Sequence, residues 1–181
     1  MIPSNIARRY ARAFFDVAGQ ENRLEDCHLE LGVFATVLTE NRNLKELLLN
    51  PVFEKADKKS IVNKVLEKLN ISLTTANFLR LLVEKGRIGS MAEIEKNYRR
   101  LMDNALGIAR VQVKTAFPLT TELSTSLKQC LESLTGNKVE MQIDDDPSLI
   151  GGIVVRIGDK LYDGSIRMQL NNMMKLLGEE T

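Results

Sequence analysis

The hydrophobic period of the chain changes once, near residue 107, and the change divides it in two. Up to that point apolar positions recur every three or four residues, the spacing of one face of an α-helix. Ile6, Tyr10, Ala13, Phe14 and Val17 form the first stripe, with Gly19 as its expected stop. A second contains Leu24, Cys27, Leu31, Phe34, Ala35 and Leu38, before a break at Asn41-Arg42-Asn43. Leu44 to Leu49 predict a short third helix, ended at Asn50-Pro51 because the residue before a proline is pushed out of the helical region. The fourth runs from about Glu54 to Leu69 on Ile61, Val65, Leu66 and Leu69. Thr74 or Thr75 is placed to cap a fifth, whose Phe78, Leu79, Leu82 and Val83 precede Gly86. Ser90 is placed to cap a sixth, with Ile94, Tyr98, Leu101 and Ala105 inward. Six short amphipathic helices with brief connections predict a helical bundle.

After Gly107 the period becomes two. Ala109, Val111 and Val113 alternate with Arg110, Gln112 and Lys114, and Val139, Met141 and Ile143 alternate with Lys138, Glu140 and Gln142. Both stretches read as half-buried strands. Between them Leu123, Leu127, Leu131 and Leu134 mark a helix ended by Gly136. Ile153, Val155 and Ile157 predict a third strand, and Gly158-Asp159 a two-residue hairpin turn into Lys160–Tyr162. A last helix carries Ile166, Leu170, Met173 and Leu177. The expected fold is mostly α with a small α+β part. Residues 1–106 form a six-helix bundle, and 107–181 a domain of about four short strands and two helices.

Composition narrows the function. Lys+Arg is 25 against Asp+Glu 24, a net charge of +1, and Trp is absent with only 3 Tyr and 6 Phe. A nucleic-acid binder usually shows a basic excess, which this chain lacks, and so few aromatic residues offer no obvious stacking platform. Residues 1–106 hold 17 basic and 14 acidic side chains, and 107–181 hold 8 and 10, so the halves stand at +3 and −2. Cys27 and Cys130 belong to no CxxC pair and read as thiols of a reducing compartment. A single histidine, His28, leaves little for a zinc site or a Ser-His relay. No stretch approaches the roughly 18 apolar residues of a membrane span. The opening MIPSNIARRYARAFFDVAG is basic and amphipathic, as an organelle transit peptide is, but its strict helical spacing favours a folded first helix.

Several clusters invite a chemical reading. Asp144-Asp145-Asp146 has no second carboxylate cluster at a calcium-loop spacing and reads as a solvated turn before Pro147. Gly151-Gly152 and Gly158 begin a strand and turn a hairpin, whereas phosphate-cradling glycines lie between a strand and a helix N-terminus. Asp163-Gly164-Ser165 precedes the last helix and reads as its cap. Arg8, Arg9 and Arg12 form a basic patch on the first helix, either a solvated face or an anchor for a partner helix. Met168, Met173 and Met174 read as core filler, although methionine also suits an adaptable surface. No catalytic residue, metal ligand or cofactor site survives this weighing.

The residues nonetheless resemble a known family, the delta subunit of F-type ATP synthases, called the oligomycin-sensitivity-conferring protein in mitochondria. RRYARAFFDVA resembles its first-helix motif, NPVFEKADK its Pro-to-Lys element, and FLRLLVEKGRI its fifth helix with a Gly-Arg stop. VKTAFPLT and DPSLIGGIVVRIGDKLYDGSIRMQLNNMMKLL resemble its C-terminal signature. The resemblance implies a non-enzymatic component of the peripheral stalk. Its helical bundle binds the N-terminal helix of an alpha subunit, and its C-terminal domain holds the C-terminal region of the b subunit. It then acts as a stator, one copy per complex, so that rotor torque drives ATP synthesis and proton transport. It also implies a partner groove on helices one and five, with Tyr10, Ala13, Phe14, Leu79, Leu82 and Val83 as its residues. Gly151, Gly152, Gly158, Asp159 and Asp163 are expected to shape the stalk-binding domain. The expected location is peripheral, on the cytoplasmic face of a bacterial inner membrane, a mature organellar chain being the other reading. Composition alone leaves a generic helical adaptor or regulatory module as the alternative.

Overall fold

The computed structural model describes residues 5–178, so Met1 to Ser4 of the opening stretch and the last three residues lie outside it. The chain divides into two compact units, residues 1–102 and 103–181. The first contains α1 (Asn5–Gln20), α2 (Leu24–Glu40), α3 (Arg42–Leu49), α4 (Lys55–Lys68), α5 (Leu73–Glu84) and most of α6 (Met91–Leu106). The division falls inside α6, and Asp103, the first residue of the second unit, is ion-paired at 2.8 Å with Arg110 of the following strand.

Three helices of this unit stop in the same way. Asn22, Asn70 and Gly86 take left-handed φ values of 55°, 50° and 65°. The next amide in each case reaches back to the last turn: Arg23 to the Ala18 carbonyl, Ile71 to Leu66 and Arg87 to Leu82. This is the six-to-one bond of a Schellman ending. Gly19 therefore does not stop α1; Asn22 does. Asn41 is not only a break but the cap of α3, its side chain accepting from the Leu44 amide. Ser72, rather than Thr74 or Thr75, stands at the N-cap of α5. Its hydroxyl and amide both donate to Glu30 on α2, at 2.6 and 3.2 Å, and Thr75 is wholly buried.

The core of the bundle is an aromatic cluster wrapped in aliphatic side chains. Phe14 stacks on Phe78 with ring centroids 4.2 Å apart, and Tyr98 lies tilted against Phe14 at 5.4 Å. Tyr98 is fully buried and donates its hydroxyl to the Leu24 carbonyl at 3.0 Å, which satisfies the one polar atom the ring brings inside. Burial pushes its phenol well above the ordinary tyrosine range. On α6 the inward face is Met91, Ile94, Tyr98 and Met102, while Leu101 is half-buried and Ala105 exposed. On α4 it is Val62 and Leu66, with Ile61 and Val65 at the margin.

The second unit is a four-stranded sheet with one helix packed on it. Its elements are β1 (Ile108–Thr115), α7 (Thr121–Thr135), β2 (Lys138–Asp145), β3 (Ile153–Ile157), β4 (Lys160–Asp163) and α8 (Ile166–Leu176). The strand order is β2-β1-β3-β4. β1 and β2 are parallel, joined by α7 as a crossover, and β3 is antiparallel to both β1 and β4. Val111, Val113, Val139 and Val155 line one face and pack against Leu131 of α7. The acidic run is not a solvated turn throughout: Asp144 and Asp145 end β2, opposite Lys114 and Thr115. Asp146 alone caps the short turn at Pro147–Leu149, accepting from the Ser148 amide.

Gly151 and Gly152 are the seat of α8. A Cβ on Gly151 would lie 2.5 Å from the Ile166 side chain. One on Gly152, which has φ +78°, would lie 2.3 Å from the Gly164 carbonyl oxygen. The Gly151 carbonyl accepts from the Ile166 amide at 3.0 Å, closing the contact. Gly152→Val is therefore expected to destabilise this unit by about 3 kcal/mol or more, from backbone strain plus overpacking. Amide exchange should rise at Val111, Val113 and Val139 and stay unchanged at Leu31 and Phe34; protection retained at all five would refute the seat.

Candidate functional site

α1 carries two apolar stripes side by side. Ala7, Ala11, Phe14 and Ala18 are buried, whereas Tyr10 and Ile6 are half-buried, Ala13 is exposed and Val17 is 44% exposed. The usual preference buries the larger apolar residues, and here three alanines take the interior positions instead. The stripe left outside faces α5, and the two helices bound an open groove of about 870 Å³. Ile6, Tyr10, Ala13 and Val17 line it from α1, and Thr74, Asn77, Phe78 and Leu81 from α5. Phe14, stacked on Phe78, forms its floor. Arg9, Arg87 and Glu21 stand on its rim.

The residues expected to bind a partner separate cleanly. Tyr10, Ala13 and Phe14 all border the groove. Leu79 and Leu82 are fully buried and Val83 is 5% exposed, so these three belong to the bundle core. The face of α5 is rotated from the expected one because this helix is apolar around most of its circumference: Thr75, Ala76, Phe78, Leu79, Leu82 and Val83 are all buried. Periodicity alone cannot choose an outer face for such a helix. Leu81, a large apolar residue outside the buried set, is the signal that sequence reasoning passes over. Ile6 and Val17 are legible as stripe residues but not as surface.

A second unpartnered apolar face lies on α8. None of its residues is buried; Ile166, Leu170, Met173 and Met174 are between 42% and 58% exposed. Met168, Met173 and Met174 are thus surface rather than core filler. The helix is held at its start, where the Ser165 hydroxyl accepts from the Met168 amide at 3.1 Å and Asp163 accepts from the Ser165 amide at 2.9 Å. The bonds from Ser165 hold the Asp163 carboxyl below the usual carboxylate range. Gly158, at φ +58°, and Asp159 form the exposed hairpin turn. Gly151, Gly152, Gly158 and Asp163 therefore set the backbone, and α8 presents the apolar surface.

Among the described residues no three His, Cys, Asp or Glu side chains converge where a metal could be held. No described helix is long and apolar enough to cross a membrane.

The sequence profile of the ATP synthase delta (OSCP) subunit family matches residues 6–177. This chain belongs to that family. It is 53% identical to the ATP synthase subunit delta of Syntrophus aciditrophicus (strain SB), an alignment covering 99% of each chain. It is 38% identical to that of Geobacter metallireducens, over 98% of each. In fold it resembles a chain of the Toxoplasma gondii mitochondrial ATP synthase hexamer, with a TM-score of 0.68 over 98% of this chain and 100% of that one, at 20% identity. Members of this delta family are non-catalytic structural subunits of ATP synthase.

Two measurements check this division of the delta-family chain into core and surface. Ala13→Trp should change stability by no more than about 0.5 kcal/mol, as at an open surface position, whereas Leu79→Ala should cost about 2–5 kcal/mol. Urea unfolding followed by circular dichroism reads both, and equal losses would place Ala13 in the core. Asp163 adds an acid dependence. Its carboxyl is depressed in the folded chain, so its stabilising effect is complete above its unfolded pKa and is lost as pH falls through its lower folded value. Asp163→Asn should flatten that acid-range loss of α8 amide protection, and an unchanged pH profile would remove the cap from the account.

Proposed function

We propose that the α1/α5 groove receives the N-terminal helix of an alpha subunit, and that the exposed face of α8 receives the C-terminal region of the b subunit. The chain is a non-catalytic, peripheral-stalk component of an F-type ATP synthase. The proposal concerns which of its surfaces meet which neighbours. It further places the protein on the cytoplasmic face of the membrane, attached through the complex.

The observation that carries the reading is the inverted burial of α1. A helix that turns three alanines inward and leaves Ile6, Tyr10 and Val17 lining a groove presents apolar area suited to a partner. The groove's shape suits an amphipathic helix, which offers anchors at i, i+3, i+4 and i+7. Small Ala13 leaves room for the incoming backbone. Holding against rotor torque requires slow dissociation, equivalent to an affinity of about nM, or about −12 kcal/mol. Attachment through two surfaces on one chain adds avidity to each.

The test uses membranes stripped of this protein. ATP hydrolysis by the catalytic head should persist while proton-coupled synthesis is lost, and adding the full chain back should restore it. The Ala13→Trp chain should fail in add-back because it no longer binds the head, and Leu170→Glu because it no longer retains b. Loss of hydrolysis on stripping would point to a catalytic role. Full restoration by both variants would show that neither surface is used.

A further inference from the structure

We infer that the groove holds its helix in one direction only, parallel to α1, with an acidic first turn beside Arg9 and Arg87 and a basic last turn beside Glu21. The inference rests on the groove being the helix-binding site and adds the polarity of what it binds.

The rim fixes this polarity. The Thr74 hydroxyl donates to both oxygens of the Glu21 carboxylate, at 3.0 and 2.9 Å. The end of α1 therefore lies beside the start of α5, and the two helices run antiparallel along the groove. Phe14 and Phe78 meet in its middle. Arg9 near the start of α1 and Arg87 just past the end of α5 then share the opposite end. One end of the groove carries two guanidinium groups and the other a carboxylate.

These charges are uncommitted. Among the described residues neither Arg9 nor Arg87 is in an ion pair, whereas Arg12 on the same helix is paired with Asp16 at 3.2 Å. Glu21 accepts from a neutral hydroxyl, and no cation among the described residues is paired with it. A partner helix meets two positive charges at one end and one negative charge at the other, each end exceeding the half charge at its own termini. Helices ordinarily carry acids in the first turn and bases in the last, so the matching orientation places the partner's N-terminus at Arg9 and Arg87. Arg9 and Glu21 are twelve positions apart, which on a helix is about 18 Å, so the partner's acid and base are separated by about three turns.

The experiment titrates the full chain with two synthetic helical peptides sharing the same apolar anchors. One has Glu in its first turn and Lys in its last, and the other has Gln at both. The charged peptide should bind roughly tenfold tighter at low salt, and the advantage should shrink as salt is raised. Arg9→Glu with Arg87→Glu, both at exposed positions, should abolish that advantage and leave the Gln peptide unaffected. A nitroxide on the N-terminus of the charged peptide should broaden the Ile6 methyl signals and spare those of Val17. Broadening at Val17 instead, or equal affinity of the two peptides at low salt, overturns the inference while the groove itself stands. Failure of both peptides to bind overturns the groove and the polarity together.

Discussion

The first unit depends on how close α1 can come to the bundle. Ala7, Ala11 and Ala18 are wholly buried and short, so the backbone of α1 settles deep against its neighbours. Phe14 is the one long side chain on that face, and it locks the position by stacking on Phe78 and touching Tyr98. With the inner face occupied by alanines, the bulk of the helix falls on its adjacent face, and that face borders α5. The groove is thus a consequence of where the small residues lie. It is not a gap left by poor packing, since the aromatic floor beneath it is continuous and the Tyr98 hydroxyl buried there is satisfied by the Leu24 carbonyl.

The second unit is built on a comparable restriction at smaller scale. Two glycines make room where α8 begins, Gly151 for the Ile166 side chain and Gly152 for the Gly164 backbone, and Ser165 and Asp163 accept from the Met168 and Ser165 amides at that start. The helix is thereby aimed and anchored at one end without burying any of its own side chains. A sheet with α7 on one face supplies the rigidity, through Val111, Val113, Val139 and Leu131. Glycine-rich and acidic stretches that suggest ligand chemistry thus serve to position the helix.

Element types are legible because period and length agree: among the described residues, eight helices and four strands follow the change from three-to-four spacing to two. Outer faces are less legible. The stripe on α1 is legible from its spacing, but its inner face is not: Phe14 is buried together with the neighbouring Ala7, Ala11 and Ala18, and Ile6, Tyr10, Ala13 and Val17 are left toward the groove. On α5 an apolar circumference hides which residues face out, so the pattern cannot separate Leu79, Leu82 and Val83, expected at the groove from the resemblance, from the core they occupy. The end of α1 is misplaced because Asn22, not Gly19, adopts the left-handed conformation. The acidic run misleads because Asp144 and Asp145 extend a strand whose partners, Lys114 and Thr115, are thirty residues away. Apart from the local helix end at Asn22, each error arises where packing or pairing distant in sequence decides between locally equivalent choices.

The two exposed faces have a thermodynamic consequence in the proposed arrangement. Apolar surface left open on a stable fold contributes nothing to that fold until it is covered, and until then it favours association of the wrong kind. Covering it adds stability by mass action, by an amount set by partner concentration relative to its dissociation constant. The effect is unequal across the chain. α1 already buries one face, so a partner in the groove adds to a helix that stands without it. α8 buries none of its side chains and depends on its cap and its glycine seat, so a partner there completes the packing of the helix itself. In the proposed arrangement a partner on α8 would therefore complete the packing of that helix, while one in the groove would meet a surface whose floor, Phe14 on Phe78, is packed beforehand.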